Sequence, residues 1–133
     1  MPIISANIVL CLDVLTEKTT ELPSAMKMAS VLNIASRDYA HFCSIASVFC
    51  SPGDHSPHVM SVRMMTPEGI NAGSAPDHAF LYGYRQDPEG YGGYNLTTTF
   101  DIDLTLLPHL GWFLVCVYVD GEWVTQAPIM LRR

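Results

Sequence analysis

The sequence predicts an all-β domain built as an antiparallel sandwich of two sheets, with about seven to eight strands. Short apolar runs alternate with clusters of Pro, Gly, Asn and Asp, which is typical of strands joined by turns. Residues 95–106 show the clearest alternation of side chains in the chain, and an Asp-Gly pair at 120–121 separates two β-rich runs. With 133 residues, we expect one domain over residues 1–133. A small closed β-barrel is the alternative.

Three strands are predicted in the first half of the chain. Residues 3–15 form one long apolar stretch, and residues 41–50 carry apolar side chains on both faces, as in a strand covered on both sides. Residues 24–34 alternate imperfectly, so a strand is favoured there with a helical turn as the alternative. The Ser-Pro-Gly-Asp sequence after Cys50 predicts a turn.

The middle of the chain predicts two strands and a turn. Residues 58–65 place Met60, Val62 and Met64 on one face, so this face is expected in the core. The Thr-Pro-Glu-Gly sequence at 66–69 is a turn signal, and residues 78–84 form a short strand.

The C-terminal segments carry the most specific signals. In residues 95–106 the row Leu96, Thr98, Phe100, Ile102 and Leu104 is predicted to face inward. Residues 111–119 and 122–126 should form a hairpin, because a two-residue type I′ turn needs positive φ at both central positions, which Asp-Gly tolerates. Pro128 should confine the last strand to a sheet edge or to its own end.

Composition narrows the range of partners. Apolar residues make up 49% of the chain and charged residues only 15%, which indicates either a large core or a surface covered by a partner. The formal net charge of −6 argues against nucleic acid and against an anionic membrane as partners. Because no secretory signal is visible, we expect a cytoplasmic protein whose four cysteines are buried thiols.

The C-terminal third resembles a known kind of domain. An apolar-Pro-x-x-Gly-aromatic strand entry at 107–112, a Val-Asp-Gly hairpin at 119–121 and a short Pro-containing strand at 127–129 are similar to the end of immunoglobulin-like sandwich domains in small uncharacterised bacterial proteins. Residues 58–69 are similar to the middle of the same domains. The resemblance implies the fold and carries no catalytic residue, because fold does not fix function.

Enzymatic candidates are weak. Met-Pro-Ile-Ile resembles the start of the tautomerase family, in which an N-terminal proline such as Pro2 acts as a general base, but the βαβ pattern of that family does not follow. Asp77 and His78 suggest a hydrolase dyad, yet adjacent residues on a strand point to opposite faces. The sequence identifies no catalytic residue, and we expect that the protein is not an enzyme.

Metal and cofactor chemistry is equally unsupported. His55 and His58, with Asp54, have a spacing that suits metal ligands on a helix, but Pro57 argues against the helix and a polar surface loop is favoured. Asp101 and Asp103 share one face of a strand, where outward carboxylates usually solvate and protect an edge. We therefore predict no metal ligand and no cofactor.

The candidate binding segment is a loop in which tyrosine and glycine are interleaved, residues 82–94. Tyrosine offers contact area at low entropy cost, glycine lets the backbone adapt, and arginine contributes hot spots. The predicted binding residues are Tyr82, Tyr84, Arg85, Tyr91 and Tyr94. The alternative is a long hairpin loop whose tyrosines fold back onto the sandwich.

The sequence therefore favours a non-enzymatic interaction module, which binds a protein partner or itself through the Tyr/Gly loop and an apolar sheet face. The abundance of methionine fits protein contacts, and an exposed edge strand could also pair with a partner. The first alternative is a small-ligand or carbohydrate-binding domain that uses the tyrosines as stacking platforms. The second is a Pro2-dependent, tautomerase-like enzyme.

Overall fold

The computed structural model describes residues 3–16, 18, 23–84 and 90–133, and these contain ten strands and one 3-10 turn. The strands are β1 (Ile3–Thr16), β2 (Pro23–Met28), β3 (Val31–Asn33), β4 (Tyr39–Cys50), β5 (His58–Met65), β6 (Asn71–Ser74), β7 (His78–Phe80), β8 (Gly92–Asp103), β9 (Gly111–Val119) and β10 (Glu122–Arg132). The 3-10 turn spans Leu104–Leu106.

The strands form two sheets that pack face to face, so the predicted sandwich is confirmed. One sheet has four strands in the order β2-β1-β4-β8, and the other has six in the order β3-β10-β9-β5-β6, with β7 also paired to β5. All pairs are antiparallel except β10 with β3. In the described part of the chain neither sheet closes on itself, so the barrel alternative is wrong.

The predicted number of strands was too low for two reasons. Residues 24–34 form two strands, β2 and β3, which belong to different sheets, rather than one strand or a helical turn. The second reason is β6, a four-residue strand within a stretch that reads as loop because it contains Asn, Gly and Ser. Short edge strands of this kind carry little apolar periodicity, and so the sequence does not reveal them.

The inward rows of β5 and β8 lie in the core, as their side-chain alternation predicts. Met60, Val62 and Met64 are each at most 1% exposed, and Phe100, Ile102 and Leu104 are also buried. Phe42 lies directly opposite Phe100 in the register of β4 with β8, and their rings stack with centroids 4.9 Å apart. Leu96 lies in the same inward row and is half-buried near the end of the sandwich.

Strand β4 only partly fulfils the prediction that it is covered on both faces. Its outer-face residues Cys43 and Ile45 are buried, but Phe49 is 44% exposed. Only part of the outer face of β4 is covered by other described residues. Ile45 lines a pocket together with Pro23 and Met28 at the ends of β2, whereas Phe49 lies near the C-terminal end of β4.

The β9–β10 hairpin has the predicted turn. Asp120 has φ +51° and Gly121 has φ +81°, the combination that a type I′ turn requires. Pro128 sits within β10 rather than at its end, since the strand continues to Arg132. The N–H of Met130 points away from β9, since it donates to the Ser30 carbonyl, and this direction recurs two residues earlier at Pro128. Because β3 pairs only with Met130–Arg132, the missing N–H of Pro128 breaks no ladder hydrogen bond.

All four cysteines are buried, as predicted from their apolar neighbours. Among the described residues there is no helix of the length and apolarity that a membrane crossing requires.

The positive φ of Gly121 gives a test of the hairpin. Replacing Gly121 by Ala should lower the free energy of unfolding by about 1 kcal/mol, because an L side chain is strained at positive φ. Urea denaturation monitored by tryptophan fluorescence measures the change. Gly83→Ala is the matched control, since a Cβ there meets nothing closer than 3.6 Å and φ is not positive. Equal stability of the two variants would contradict the type I′ turn.

Candidate functional site

The two ends of the Tyr/Gly loop are joined at its base. The backbone N–H of Gly83 donates to the carbonyl of Gly93, and the N–H of Gly93 donates back to Gly83, both at 2.9 Å. A Cβ on Gly92 would lie 2.7 Å from the ring of Tyr84 and 2.8 Å from Cβ of Tyr82, so only glycine permits this close approach. The glycines therefore bring the two sides of the loop base together.

Two of the predicted tyrosines fold back onto the sandwich. Tyr82 is 6% exposed and meets the rings of Phe80 and His58 edge-on, each with centroids 5.2 Å apart. Tyr94 stacks on Phe80 at 4.6 Å, and its hydroxyl lies 2.6 Å from Nε2 of His78. These contacts make the loop base an aromatic cluster that continues the core.

Tyr84 ties the loop base to the turn after β4. Its hydroxyl donates to the backbone carbonyl of Asp54 and lies 3.3 Å from Sγ of Cys50. Its ring packs against the ring of His55 at 4.8 Å. Burial raises the pKa of Tyr84 to about 12, as it does that of Tyr82, so both hydroxyls stay protonated at neutral pH.

The remaining two predicted binding residues are placed differently. Tyr91 is 38% exposed and faces solvent at the loop. Arg85 lies outside the described residues. The structure thus brings Tyr82, Tyr84 and Tyr94 together at the loop base, and binding by these five residues stays a prediction.

A partly buried ion cluster, which the sequence did not predict, lies against this base. Nε2 of His58 lies 2.9 Å from Oδ2 of Asp54, and Nδ1 lies 2.6 Å from Oδ2 of Asp120. The His58 side chain is 10% exposed and that of Asp54 only 2%. We call Asp54, His58 and Asp120 the carboxylate clasp. It joins the turn after β4, the start of β5 and the hairpin turn.

The two carboxylates hold His58 in its charged form. The Asp120 hydrogen bond raises the pKa of His58 above its usual 6.5, against the opposing effect of burial, and Asp54 adds to the increase. The His58 and Ser56 hydrogen bonds lower the pKa of Asp54 to about 2, and His58 also lowers that of Asp120. Both ring nitrogens therefore donate to carboxylates, which makes His58 an imidazolium.

This charge state decides what the site can do chemically. Ser56 Oγ lies 3.4 Å from Nε2 of His58, an arrangement that with Asp120 resembles a Ser-His-Asp triad. Asp54 already accepts from Nε2, and the Ser56 hydroxyl donates to Asp54 at 2.8 Å. While both ring nitrogens of His58 donate to carboxylates, His58 cannot take the serine proton, and Ser56 Oγ donates to Asp54 instead.

The prediction of a polar surface loop at residues 54–58 was therefore wrong for Asp54, which is buried, and for His58, which is partly buried in strand β5. In the described ranges no group of three or more His, Cys, Asp or Glu side chains is arranged to hold a metal ion. One signal could have indicated the clasp: if β5 pairs with β9, His58 at the start of β5 lies next to the turn that follows β9 at Asp120.

The other acidic candidates have structural partners. Asp77 accepts from the hydroxyl of Ser61 at 2.8 Å, whereas His78 turns to Tyr94, so the two do not form a dyad, as predicted. Oδ1 of Asp101 lies 2.6 Å from Nδ1 of His41 on the exposed surface. The Asp103 carboxylate caps the 3-10 turn by accepting from the backbone N–H of Thr105 at 3.0 Å.

A second feature is the outer surface of the six-stranded sheet, which carries large apolar side chains together with Ser61, Arg63 and Gln126. Side chains at directly opposite positions share a face, and this register aligns large apolar residues from β3, β5, β9 and β10. We call this surface the tryptophan face; it comprises Val31, Met65, Trp112, Leu114, Tyr118, Trp123 and Met130.

The tryptophan face is uncovered at its large rings. Trp112 is 48% exposed and Trp123 55%. The guanidinium of Arg63 lies over the ring of Tyr118, 5.0 Å from its centroid, and the two form a cation–π contact. The sequence predicts an apolar sheet face but does not say which one, because this depends on how the strands pair.

Comparison with known proteins supports the fold alone. No protein-family model and no curated protein matches this sequence. One similar solved structure is that of the Pseudomonas fluorescens alkylpurine DNA glycosylase AlkC bound to DNA containing an abasic site analog. The TM-score is 0.50 and the identity 15%, over 95% of this chain and 30% of the glycosylase chain. The resemblance to bacterial immunoglobulin-like proteins stays a prediction.

The clasp makes stability depend on pH in a defined way. Because the pKa of His58 is raised, its contribution is complete below the ordinary value of 6.5 and is lost as pH rises through the raised value. Because the pKa values of Asp54 and Asp120 are lowered, their contributions are complete above 3.8 and are lost as pH falls, through about 2 for Asp54. The clasp should therefore stabilise most between these two ordinary values.

Replacing His58 by Gln should lower the free energy of unfolding by about 1 to 3 kcal/mol near pH 5, because it leaves a buried acceptor without its donor. The loss should shrink as pH rises above the raised pKa of His58. Urea denaturation across pH measures both effects. His41→Gln removes an exposed His–Asp pair with the same 2.6 Å separation and should change stability little. Equal effects of the two variants, or no pH dependence, would contradict the clasp.

Proposed function

We propose that this protein is a non-enzymatic interaction module that binds a protein partner through the tryptophan face. The partner that we propose is a second copy of the same chain. One observation carries the proposal: β9 has two apolar rows, and while the inner row forms the core, the outer row is uncovered at Trp112. Large contiguous apolar patches on a monomer usually mark interaction sites.

The chemistry of the tryptophan face suits protein contact. Tryptophan, tyrosine and arginine are the residues that most often dominate binding energy, and the face holds Trp112, Trp123, Tyr118 and the stacked Arg63. Its methionines, Met65 among them, can adapt to the shape of a partner. A low share of charged residues, 15% of the chain, is consistent with a surface that is covered during function.

Self-association is the simplest version of the proposal. A two-fold symmetric contact uses the same patch on both copies, so one apolar face is sufficient for the whole interface. The two rings Trp112 and Trp123 lie toward opposite ends of the face, on β9 and β10. In an antiparallel arrangement of two copies, the Trp112 end of one tryptophan face would lie against the Trp123 end of the other.

The base of the Tyr/Gly loop is connected through the clasp to the hairpin turn that precedes Trp123 of the tryptophan face. The clasp connects the loop base to Asp120 in the hairpin turn, and Trp123 follows Asp120 by three residues in β10. Tyr91 is the described loop tyrosine that is free to reach a partner, with 38% of its surface exposed. We propose that the loop contributes contacts at the rim of the interface.

The alternatives receive less support from the geometry. A carbohydrate-binding site needs open ring faces, whereas Tyr82 and Tyr94 are engaged by Phe80. Pro2 lies outside the described residues, so a tautomerase-like role stays a prediction. The similar glycosylase binds DNA, but with a net charge of −6 we do not propose nucleic acid as a partner of this chain. A cytoplasmic location also stays a prediction.

Replacing Trp112 by Gln should weaken self-association by about tenfold to a hundredfold, because a large aromatic ring buried in an interface carries much of its energy. Sedimentation velocity over a wide concentration range measures the dimer dissociation constant. Leu106→Gln is the matched control: Leu106 is 80% exposed but lies in the 3-10 turn, away from the tryptophan face. A protein that stays monomeric at all concentrations, or equal weakening by both variants, would contradict self-association.

A further inference from the structure

Strand β8 forms one edge of the four-stranded sheet. It pairs with β4 from Gly92 to Asp103 without a register shift, so the edge is long and regular. Among the described residues no strand pairs with its other side. Strand β8 has no proline, no lysine and no bulge, and its charged residues, Asp101 and Asp103, lie only at its C-terminal end, so the edge from Asn95 to Phe100 carries none of these protections.

The backbone groups that point out of this edge can be identified. Gly93 exchanges both of its backbone hydrogen bonds with Gly83, so its N–H and C=O face away from β4. In an antiparallel strand this direction recurs at every second residue. The N–H and C=O groups of Asn95, Thr97, Thr99 and Asp101 therefore also point away from β4.

The Gly83–Gly93 bridge is one backbone pair on this edge, and no other described residue continues it along β8. The segment next to the edge belongs to the other sheet: the N–H of Ala75 donates to the Val62 carbonyl at 3.1 Å, and His78 pairs with Met60. The bridge demonstrates that a backbone can lie along this edge. Beyond it, no described strand pairs with the outward N–H and C=O groups of β8.

Two pockets lie along the open part of the edge. One, of about 390 Å³, is lined by Ala72 and Pro76 on one side and by residues 99–103 of β8 on the other. The second, of about 270 Å³, is lined by Ala75 and His78 opposite residues 96–99. The centres of the two pockets are about four residues apart along β8. Side chains on one face of an extended strand recur every two residues, so two of them can reach both pockets.

We propose that the β8 edge is a docking site for an extended peptide, which adds to the four-stranded sheet as a fifth strand. Its backbone pairs with Asn95, Thr97 and Thr99, and its inward side chains are apolar and enter the two pockets. Its outward side chains lie opposite the threonines, with a basic residue opposite Asp101, where an unlike charge is favoured.

A second copy of β8 fits this site less well than a separate peptide. The inward side chains of β8, such as Phe100 and Ile102, are buried in their own core and are not free to enter the pockets of a partner. The proposed peptide site is also distinct from the tryptophan face, which lies on the other sheet. Failure of one proposal therefore leaves the other standing.

Amide hydrogen exchange of the free protein tests the open edge. The amides of Asn95, Thr97 and Thr99 should exchange about tenfold or more faster than those of Leu96, Thr98 and Phe100, which face β4. A nine-residue capped peptide that alternates valine with threonine and carries one lysine should then slow exchange at the first three positions. Equal protection of both rows in the free protein, or no slowing by any of a small panel of such peptides, would overturn the proposal.

Two variants separate backbone pairing from other modes of binding. Thr97→Pro removes an N–H that points out of the edge, so β4 pairing survives, and it should weaken peptide binding by about tenfold or more. Thr97→Val keeps the backbone and should bind like the wild type. N-methylation of the peptide on the side facing β8 should match the proline variant. Unchanged affinity for Thr97→Pro, or dimerisation of the protein that this variant abolishes, would overturn the peptide site.

Discussion

Strand β9 alternates between two apolar rows, and the sandwich buries only one of them. Phe113, Val115 and Val117 have no exposed surface, whereas Trp112 in the other row is 48% exposed. The period of two along a strand makes this division unavoidable, since each residue must lie on one face or the other. A row of tryptophan, leucine and tyrosine on the outward side costs solubility and lies outside the core, and our proposal is that another molecule covers it.

The carboxylate clasp and the aromatic cluster belong to the same end of the sandwich as the hairpin turn. His58 lies between Asp54 and Asp120 and also touches the ring of Tyr82, so one side chain connects the turn after β4, the loop base and the hairpin. A buried charged group is costly unless both of its nitrogens have partners, and the two carboxylates supply them. The clasp thereby gives a glycine-rich loop a rigid base next to the tryptophan face.

The sequence predicts features that depend on one strand or one turn, and it misses those that depend on pairing between distant strands. The inward row of β5 and the Asp-Gly turn follow from local patterns, and both are found. The ion pair between His58 and Asp120 spans residues 62 apart and exists only because β5 pairs with β9. The division of residues 24–34 between two sheets is likewise set by packing, which outweighs weak local periodicity.

Hydroxyl-radical footprinting at increasing protein concentration tests the central claim that the tryptophan face is an interface. The account predicts that oxidation of Trp112 and Trp123 falls as the concentration rises, while oxidation of the exposed Leu106 stays constant. Constant oxidation of both tryptophans at every concentration would contradict it.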